Sequence, residues 1–246
     1  MTLKSIVIAA GGIGSRMSRS LNRHRSKALI EYQGKPLIYY LISAAKDAGI
    51  TNFYISVNEH NRSRIEAIAN SMGINYKTRL TGNNFAQVPA LFKDSLDYKF
   101  LVVCGHDPAP TEHLMALIDK SNTHDAVTTA YDNLTNTTSN KRRVRLHASE
   151  TGQRFEMIDI DKDTIPDDHT YVRNPYVINQ DILDRVIRSD FSVTAGYFVY
   201  KSWTDGGKVT AVKAIMPVEF DTDAEFERTK RYLDRRFGRD TNQGSA

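Results

Sequence analysis

The chain has 246 residues, of which 40% are hydrophobic and 25% charged, so it can bury a full core and has the composition of an ordinary globular protein. Its single cysteine, Cys104, excludes an internal disulfide framework, and its net charge of +4 is modest for a nucleic-acid binder. The first apolar run, "SIVIAA", is too short for a signal-peptide core or a membrane span, so we expect a cytoplasmic protein without membrane or nucleic-acid partners.

The first half of the chain alternates apolar runs with amphipathic segments. Strands are predicted at "SIVIAA", "NFYISVN", "KFLVVCG" and "DAVTTAY". Helices are predicted between them at "PLIYYLISAAKDAG", which ends at Gly49, and at "NRSRIEAIANSMG", "VPALFKDSL" and "TEHLMALIDKS". This βαβ rhythm is typical of an α/β protein with a largely parallel sheet.

The second half changes texture at about residue 133, where the sequence becomes rich in Thr and Asn. The runs "RRVRLHA" and "RFEMIDID" flank "SETG", which predicts a β-hairpin in an insertion over about 133–170. Beyond it we predict a strand, a helix, a strand and a closing helix at "TYVRNPYVI", "QDILDRVIRS", "KVTAVKAIMPVEF" and "DAEFERTKRYLDRRF". We expect one domain over 1–237 and a disordered tail over 238–246, which has nothing apolar to bury.

Three glycines follow the first strand, and a run of cations without an acid comes next: Arg16, Arg19, Arg23, Arg25 and Lys27. Glycines let backbone N–H groups approach a ligand, and clustered cations attract several negative charges, so a polyphosphate is the expected ligand. A dinucleotide-binding loop does not fit, because Met17 occupies its third glycine position. A Walker loop does not fit either, because Lys27 is not beside a glycine.

An ordered series of residues starts at the end of the first strand: Ala9, Ala10, Gly11, Gly12, Gly14, Ser15, Arg16, Lys27, Leu29, Gly34, Lys35 and Pro36. This series resembles the opening of the nucleotidyltransferase superfamily, whose members make sugar nucleotides and related activated metabolites. Its motif is A-A-G-G-x-G-x-R, then a variable loop, P-K-x-L and G-K-P; Ser26 replaces the usual proline here. The resemblance implies a Rossmann-like, three-layer α/β/α fold with a mixed, mainly parallel central sheet and a small β-hairpin insertion.

The same resemblance implies an Mg²⁺-dependent enzyme that transfers a nucleotidyl group from an NTP to a phosphorylated small-molecule acceptor and releases pyrophosphate. Arg16 and Lys27 match the family positions that hold the triphosphate and the transferring phosphoryl group. The resemblance implies CTP, UTP, GTP or dTTP as the NTP, and a sugar 1-phosphate, a polyol phosphate or another phosphate as the acceptor. A homodimer through the insertion stays open.

Two aspartates match the family's metal ligands. Asp107 follows the strand "KFLVVCGHD", which resembles a family strand ending in G-D or G-x-D, and Asp221 lies in "VEFDTDAEFERTKRYL", which resembles D-T-P-E-D-L-E. Asp223 replaces the proline of that segment and is a rival to Asp221 as ligand. Carboxylates at the carboxyl edge of a sheet suit Mg²⁺. The structural alternative is that Asp107 begins a turn and Asp221 caps the last helix.

Further substrate contacts are implied more loosely. The base would contact backbone groups near Ala10 and Gly11. The resemblance also implies a base contact from a segment that precedes a helix, and the candidate residues in that segment are Thr81, Gly82, Asn83, Asn84 and Gln87. An Asn/Gly turn is the alternative there. On the acceptor side, Asn174 matches an N-A-G-I-Y-like strand, and Lys213, Arg173 or the "KRRVR" cluster would reach a phosphate. Arg19, Arg23, His24 and Arg25 form either a solvated charge run or a loop that closes over pyrophosphate.

Two other classes of protein compete with this reading. A metal-dependent glycosyltransferase uses a D-x-D site, for which "DID" at Asp159 and "DTD" at Asp221 are superficial matches; the glycine motif with Lys27 argues against it. A non-catalytic regulatory member would keep the fold and lose the charged site. The joint presence of Gly14, Arg16, Lys27 and Asp107 argues against that second alternative.

Overall fold

The computed structural model describes residues 3–18, 20–21, 23–81, 85–131, 143–149, 152–158, 170–188, 207–217 and 220–238. Its strands are β1 Ser5–Ala9, β2 Glu31–Tyr32, β3 Lys35–Pro36, β4 Asn52–Val57, β5 Asn75–Leu80, β6 Lys99–Cys104, β7 Ala126–Tyr131, β8 Arg143–Ser149, β9 Gly152–Ile158, β10 Thr170–Asn179 and β11 Val209–Lys213. Its α-helices are α1 Leu37–Asp47, α2 Arg62–Ser71, α3 Thr111–Lys120, α4 Gln180–Arg188 and α5 Asp223–Phe237. Short 3₁₀ helices span Lys27–Leu29, Phe85–Gln87 and Pro89–Ser95.

The central sheet has the strand order β11-β7-β10-β6-β1-β4-β5. Strands β6, β1, β4 and β5 pair in parallel, as do β7 and β11, whereas β10 runs antiparallel to both of its neighbours. The predicted hairpin is present as β8 and β9, and β8 joins the sheet by pairing with β10. The expected mixed, mainly parallel sheet with a hairpin insertion is therefore confirmed.

Two hydrophobic layers cover the two faces of the sheet. Because side chains alternate along a strand, Ile6 and Ile8 of β1 point to one face and Val7 to the other. The first face packs against α1, α2 and α3, and the second against α4 and the 3₁₀ helix Pro89–Ser95. This arrangement confirms the three-layer α/β/α architecture. No helix in the described part of the chain combines the length and apolarity needed to cross a bilayer.

Some elements differ from the sequence-based expectations. The segment "VPALFKDSL" forms a 3₁₀ helix, and β5 was not predicted because it is an edge strand that exposes most of its side chains. The last predicted strand ends early, at Lys213, which pairs with Ala130, the last residue but one of β7. The predicted tail beyond residue 238 and, around the two strands of the insertion, residues 132–142, 150–151 and 159–169 lie outside the described residues.

The closing helix α5 begins as its acidic first turn predicts, but Thr222 rather than Asp221 is the capping residue. The Thr222 hydroxyl accepts a hydrogen bond from the Glu225 amide, and the Glu225 carboxylate accepts one from the Thr222 amide. Glu225 also accepts a hydrogen bond of 2.7 Å from the amide of Asp221. The capping box therefore fixes the backbone of Asp221 directly before the helix, and this leaves the Asp221 side chain available for other contacts.

Candidate functional site

A cleft of about 280 Å³ lies over the carboxyl ends of β1, β4 and β6. Its lining residues come from the glycine loop and the strand ends around it: Ala9, Ala10, Gly11, Gly12, Ile13, Gly14, Ser15, Arg16, Lys27, Ala28, Ser56, Thr81, Phe85, Val88, Cys104 and His106. Ligands of open α/β sheets bind at this edge. The cleft therefore brings together most of the residues that the glycine motif singled out.

Close packing fixes the path of the glycine loop. The Ala10 amide donates to both the carbonyl and the hydroxyl of Ser56, at 3.1 and 3.2 Å. A Cβ atom on Gly11 would lie 2.3 Å from Cγ2 of Thr81, so only glycine fits there. Gly14 has φ of +62°, a value that glycine adopts without strain. These constraints make the loop a preorganised turn above the sheet.

Two buried asparagines, Asn58 and Asn61, brace this loop, and the sequence analysis did not identify them. The Asn58 amide donates to the carbonyls of Gly11 and Arg25, at 3.0 and 3.2 Å. The Asn61 amide donates to the Ala10 carbonyl at 2.7 Å and to the Ser26 hydroxyl at 2.8 Å. The asparagines thereby tie the glycine loop to the segment that precedes Lys27. Their only sequence signal is a polar "NEHN" cluster at the end of a strand, which reads equally well as a turn.

Arg16 and Lys27 meet at one carboxylate. The Lys27 ammonium lies 2.5 Å from Oδ1 of Asp221, and the Arg16 guanidinium lies 2.9 Å from the same oxygen. Lys27 also donates to the Phe220 carbonyl at 2.7 Å, and its side chain is only 12% exposed. Arg16 and Lys27, near the start of the chain, and Asp221, near its end, therefore form one charged cluster at the cleft, with two positive groups around one negative group.

Asp223 occupies a different place from Asp221. Its Oδ1 accepts a hydrogen bond of 3.0 Å from the amide of Ser18, at the end of the glycine loop. Hydrogen bonds from Ser18 lower the pKa of this carboxyl group below its usual value. The two aspartates of "DTD" thus bind different partners, Asp221 the cations and Asp223 the loop backbone.

Asp107 lies in the turn that follows β6, and its amide donates to the Cys104 carbonyl at 3.0 Å. The turn therefore begins at Cys104 and ends at Asp107, so Asp107 does not begin it as the structural alternative expected, and the carboxylate has a further contact. Its Oδ2 accepts a hydrogen bond from the side-chain amide of Asn174, and both residues are almost fully buried. Beside Asp107, the His106 ring lines the cleft and meets the Phe220 ring edge-on, 5.1 Å between centroids. Sequence reasoning did not single out His106.

Other predicted site residues are spread more widely. Thr81 lines the cleft, whereas Gln87 is exposed outside its lining and Lys213 is exposed at the end of β11. Gly82, Asn83 and Asn84 lie outside the described residues, and so do the side chain of Arg173 and the "KRRVR" side chains. In the basic loop, Arg23 forms an exposed ion pair of 2.6 Å with Glu31, and Arg25 lies 3.2 Å from His60.

The model of the nucleotidyl transferase family matches residues 5–142, more than half of the chain. The chain belongs to the nucleotidyl transferase family. The match begins at β1 and includes the glycine loop, Lys27 and Asp107. The family membership that the glycine motif implied is therefore confirmed.

Curated relatives align with the chain over short stretches. The chain is 35% identical over 65 residues to the bifunctional IPC transferase and DIPP synthase of Aquifex aeolicus, which covers 26% of this chain and 15% of that protein. It is 40% identical over 68 residues to the 2-C-methyl-D-erythritol 4-phosphate cytidylyltransferase of Chlorobium luteolum, which covers 27% of this chain and 28% of that protein. The chain thus spans well under half the length of these relatives.

Solved structures share the fold over nearly the whole length of the chain. The inositol-1-phosphate CTP transferase of T. maritima superposes with a TM-score of 0.73 at 16% identity, covering 95% of this chain and 98% of that one. A UDP-glucose pyrophosphorylase complexed with UDP-glucose gives a TM-score of 0.73 at 14% identity, covering 95% and 99%. At these identities the similarity establishes the fold alone.

Proposed function

We propose that this nucleotidyl transferase moves a nucleoside monophosphate from an NTP to a phosphorylated small-molecule acceptor and releases pyrophosphate. The observation that carries the proposal is the convergence of Arg16 and Lys27 beside a braced glycine loop in the cleft. Nucleotidyl transfer depends mainly on positioning and on neutralising phosphate charge, and this arrangement supplies both.

The triphosphate would lie against the backbone amides of Gly11 to Ser15, with Arg16 and Lys27 on its oxygens. In the structure both cations bind Asp221. Binding therefore requires Arg16 and Lys27 to exchange a carboxylate for phosphate oxygens. Asn58 and Asn61 hold the loop in place during this exchange, because their own contacts are with backbone carbonyls and the Ser26 hydroxyl.

The donor set suits Mg²⁺. Mg²⁺ takes oxygen ligands and usually needs only one or two carboxylates beside the substrate phosphates. Asp107 and Asp221 offer such carboxylates, and no cluster of three or more His, Cys, Asp or Glu forms a protein-only metal site in the described part of the chain. When bound, Mg²⁺ would neutralise charge on the reacting phosphates. Asp107 and Asp221 would hold it.

The names of the relatives point to one class of acceptor. The Aquifex and T. maritima proteins carry names that refer to IPC or inositol-1-phosphate, the Chlorobium relative is named for an erythritol phosphate, and the UDP-glucose pyrophosphorylase is a sugar-nucleotide enzyme. All of these names fit a small phosphorylated polyol or sugar. We therefore propose such a phosphate as the acceptor, with CTP or UTP tested before GTP and dTTP.

A D-x-D glycosyltransferase gains no support at "DTD". Such a site needs both aspartates to converge on the metal and nucleotide, whereas Asp221 pairs with Arg16 and Lys27 and Asp223 pairs with the Ser18 backbone. The other D-x-D match, at Asp159, lies outside the described residues. The nucleotidyl transfer reaction is the function that the cleft supports best.

The test is a pyrophosphate-release screen of CTP, UTP, GTP, dTTP and ATP against phosphorylated sugars and polyols with Mg²⁺, followed by phosphorus-31 NMR of active mixtures. We expect pyrophosphate and a nucleoside-diphosphate conjugate, and a reaction that added pyrophosphate reverses. Free nucleoside diphosphate together with a glycoside would instead establish glycosyl transfer. Binding of NTP without turnover across the whole panel would favour a regulatory member of the family.

A further inference from the structure

Strand β10 leaves its regular register at the point where it reaches Asp107. Arg173 pairs with Thr129 of β7. One step along the ladder, Thr128 of β7 pairs with Tyr176, so two residues of β10 are skipped. Asn174 and Pro175 are thus additional residues in β10, and proline in any case has no N–H for the ladder. A bulge of this kind re-aims side chains, and it is common beside active sites.

Side chains of β7 and α3 hold the bulge in one conformation. Tyr131 donates from its hydroxyl to the Asn174 carbonyl at 3.0 Å, and Thr129 donates from its hydroxyl to the Pro175 carbonyl at 2.7 Å. His113 of α3 lies 2.8 Å from the Thr129 hydroxyl. Because the Thr129 proton goes to Pro175, Nε2 of His113 must be the donor in this contact. All of these groups are buried.

The result of this arrangement is the direction of the Asn174 side chain. Asn174 is only 2% exposed, and its amide donates to Oδ2 of Asp107, which is 1% exposed. The donor is neutral, so it orients the carboxylate without cancelling its charge. In this respect it differs from Lys27 and Arg16, which neutralise Asp221.

We infer that Asn174 is a positioning residue for the Asp107 carboxylate and does not bind the acceptor as its sequence motif implied. The inference rests on the proposed function, in which Asp107 holds a divalent cation. Partners that hydrogen-bond to a metal-binding carboxylate fix its orientation and tune its affinity. Thr129, Tyr131 and His113 contribute indirectly, since they hold the bulge from which Asn174 reaches Asp107.

Asn174→Ala tests this role, and Asn179→Ala is its matched control. Asn179 is also a buried asparagine of β10, but its Oδ1 accepts from the Ile182 amide at 2.9 Å, at the start of α4. The affinity of the whole protein for Mn²⁺ can be measured by electron paramagnetic resonance. It should fall about 10- to 100-fold in Asn174→Ala, as is usual when a partner of a metal ligand is lost. It should be unchanged in Asn179→Ala and lost in Asp107→Ala.

A second pair of variants tests the same role through the bulge, in case Asn174→Ala folds poorly. Thr129→Val removes the hydroxyl that holds the Pro175 carbonyl, and Thr129→Ser keeps it. Mn²⁺ binding should weaken in the valine variant and be largely retained in the serine variant. Equal Mn²⁺ affinity in the two would overturn the role of the bulge.

Steady-state kinetics separates positioning from acceptor binding. In Asn174→Ala we expect kcat to fall with the KM of the acceptor phosphate nearly unchanged. A raised acceptor KM with wild-type Mn²⁺ affinity would overturn the inference and restore the acceptor contact. Mn²⁺ binding that is the same in Asp107→Ala as in the wild type would remove the proposed metal site itself, and the positioning role with it.

Discussion

The ammonium group of Lys27 lies 2.5 Å from Oδ1 of Asp221, although 194 positions separate the two residues in the chain. Arg16 binds the same oxygen, so one group proposed to bind metal pairs with two groups proposed to bind phosphate. A carboxylate in this position competes with phosphate for the same cations. Phosphate binding at Arg16 and Lys27, or cation binding at Asp221, would therefore have to break these ion pairs.

This competition predicts that Asp221→Asn binds pyrophosphate more tightly than the wild type when metal is absent. Removal of the negative charge frees Arg16 and Lys27 for the ligand, and Lys27 keeps its hydrogen bond to the Phe220 carbonyl. Isothermal titration with pyrophosphate in EDTA should show a gain of about tenfold, equivalent to ~1.4 kcal/mol. With Mg²⁺ present, turnover of the same variant should fall because a proposed ligand is lost.

Asp223→Asn is the control for Asp221→Asn. Asp223 lies two residues further on but contacts the Ser18 amide and neither of the two cations. Its substitution should leave pyrophosphate affinity in EDTA close to the wild-type value. Weaker binding in Asp221→Asn, or an equal gain in both variants, would contradict competition at Lys27 and Arg16.

Loss of either cation should lower catalysis strongly. For Lys27→Ala and Arg16→Ala we expect kcat/KM for the NTP to fall about 100-fold or more, as happens when a donor that stabilises developing charge is removed. Lys35→Ala and Arg23→Ala are the matched controls, because Lys35 contacts Tyr39 and Arg23 pairs with Glu31, both exposed and outside the cleft lining. Similar losses in all four variants would mean that the basic surface acts through its total charge.

Local motifs and the order of the strands determine where the glycine loop and Asp107 lie, so this part of the site could be predicted from the sequence. The glycine loop follows a buried strand, and Asp107 follows another, so their meeting at one sheet edge follows from parallel pairing. The fold class could be predicted for the same reason. Element order and apolar periodicity both indicate a wound α/β sheet.

The contacts that could not be predicted depend on the tertiary arrangement. The direction of Asn174 follows from a bulge in an antiparallel strand, and nothing local in "VRNPYVIN" encodes which neighbour that strand takes. Asn58 and Asn61 were missed because a buried asparagine that braces a loop has the same sequence signature as an exposed turn. Likewise, the pairing of Lys27 with Asp221 requires the end of the chain to return beside the start.

The buried His113 should make the free energy of unfolding depend on pH. Burial lowers its pKa from 6.5 to about 4, despite the adjacent Glu112, which acts in the opposite direction. The folded protein therefore keeps His113 neutral at pH values where the unfolded chain binds a proton, so stability is lost as pH falls from about 6.5 to about 4. A shift of this size corresponds to about 3 kcal/mol over that window.

Urea unfolding at several pH values measures this contribution. His113→Gln keeps a side-chain amide that can donate to Thr129 but removes the titration, so its free energy of unfolding should fall less steeply below pH 6.5 than that of the wild type. His124→Gln serves as the control for loss of a histidine, since His124 is partly exposed beyond the end of α3. Parallel pH curves for the wild type and His113→Gln would contradict the assignment.

The close packing of Gly11 against Thr81 allows a steric test of the glycine loop. A second substitution should reverse the effect of the first. In Gly11→Ala the new Cβ would lie 2.3 Å from Cγ2 of Thr81, and a β-branched side chain has little freedom to move aside. The loop amides should shift, and kcat/KM for the NTP should fall by about tenfold or more. Gly238→Ala is the control, because its added Cβ would come no nearer than 3.9 Å, to Cβ of Asp234, and Gly238 lies outside the cleft lining.

Thr81→Ser removes the atom that clashes while it keeps the hydroxyl. The double variant Gly11→Ala/Thr81→Ser should therefore recover most of the activity that Gly11→Ala loses, and Thr81→Ser alone should stay near the wild-type rate if the Thr81 methyl group makes no contact with the base. The same set of variants measured for thermal stability separates a shifted loop from a destabilised fold. If the double variant were no more active than Gly11→Ala, the requirement at this position would come from the ligand's approach to the Gly11 backbone, with the contact to Thr81 secondary.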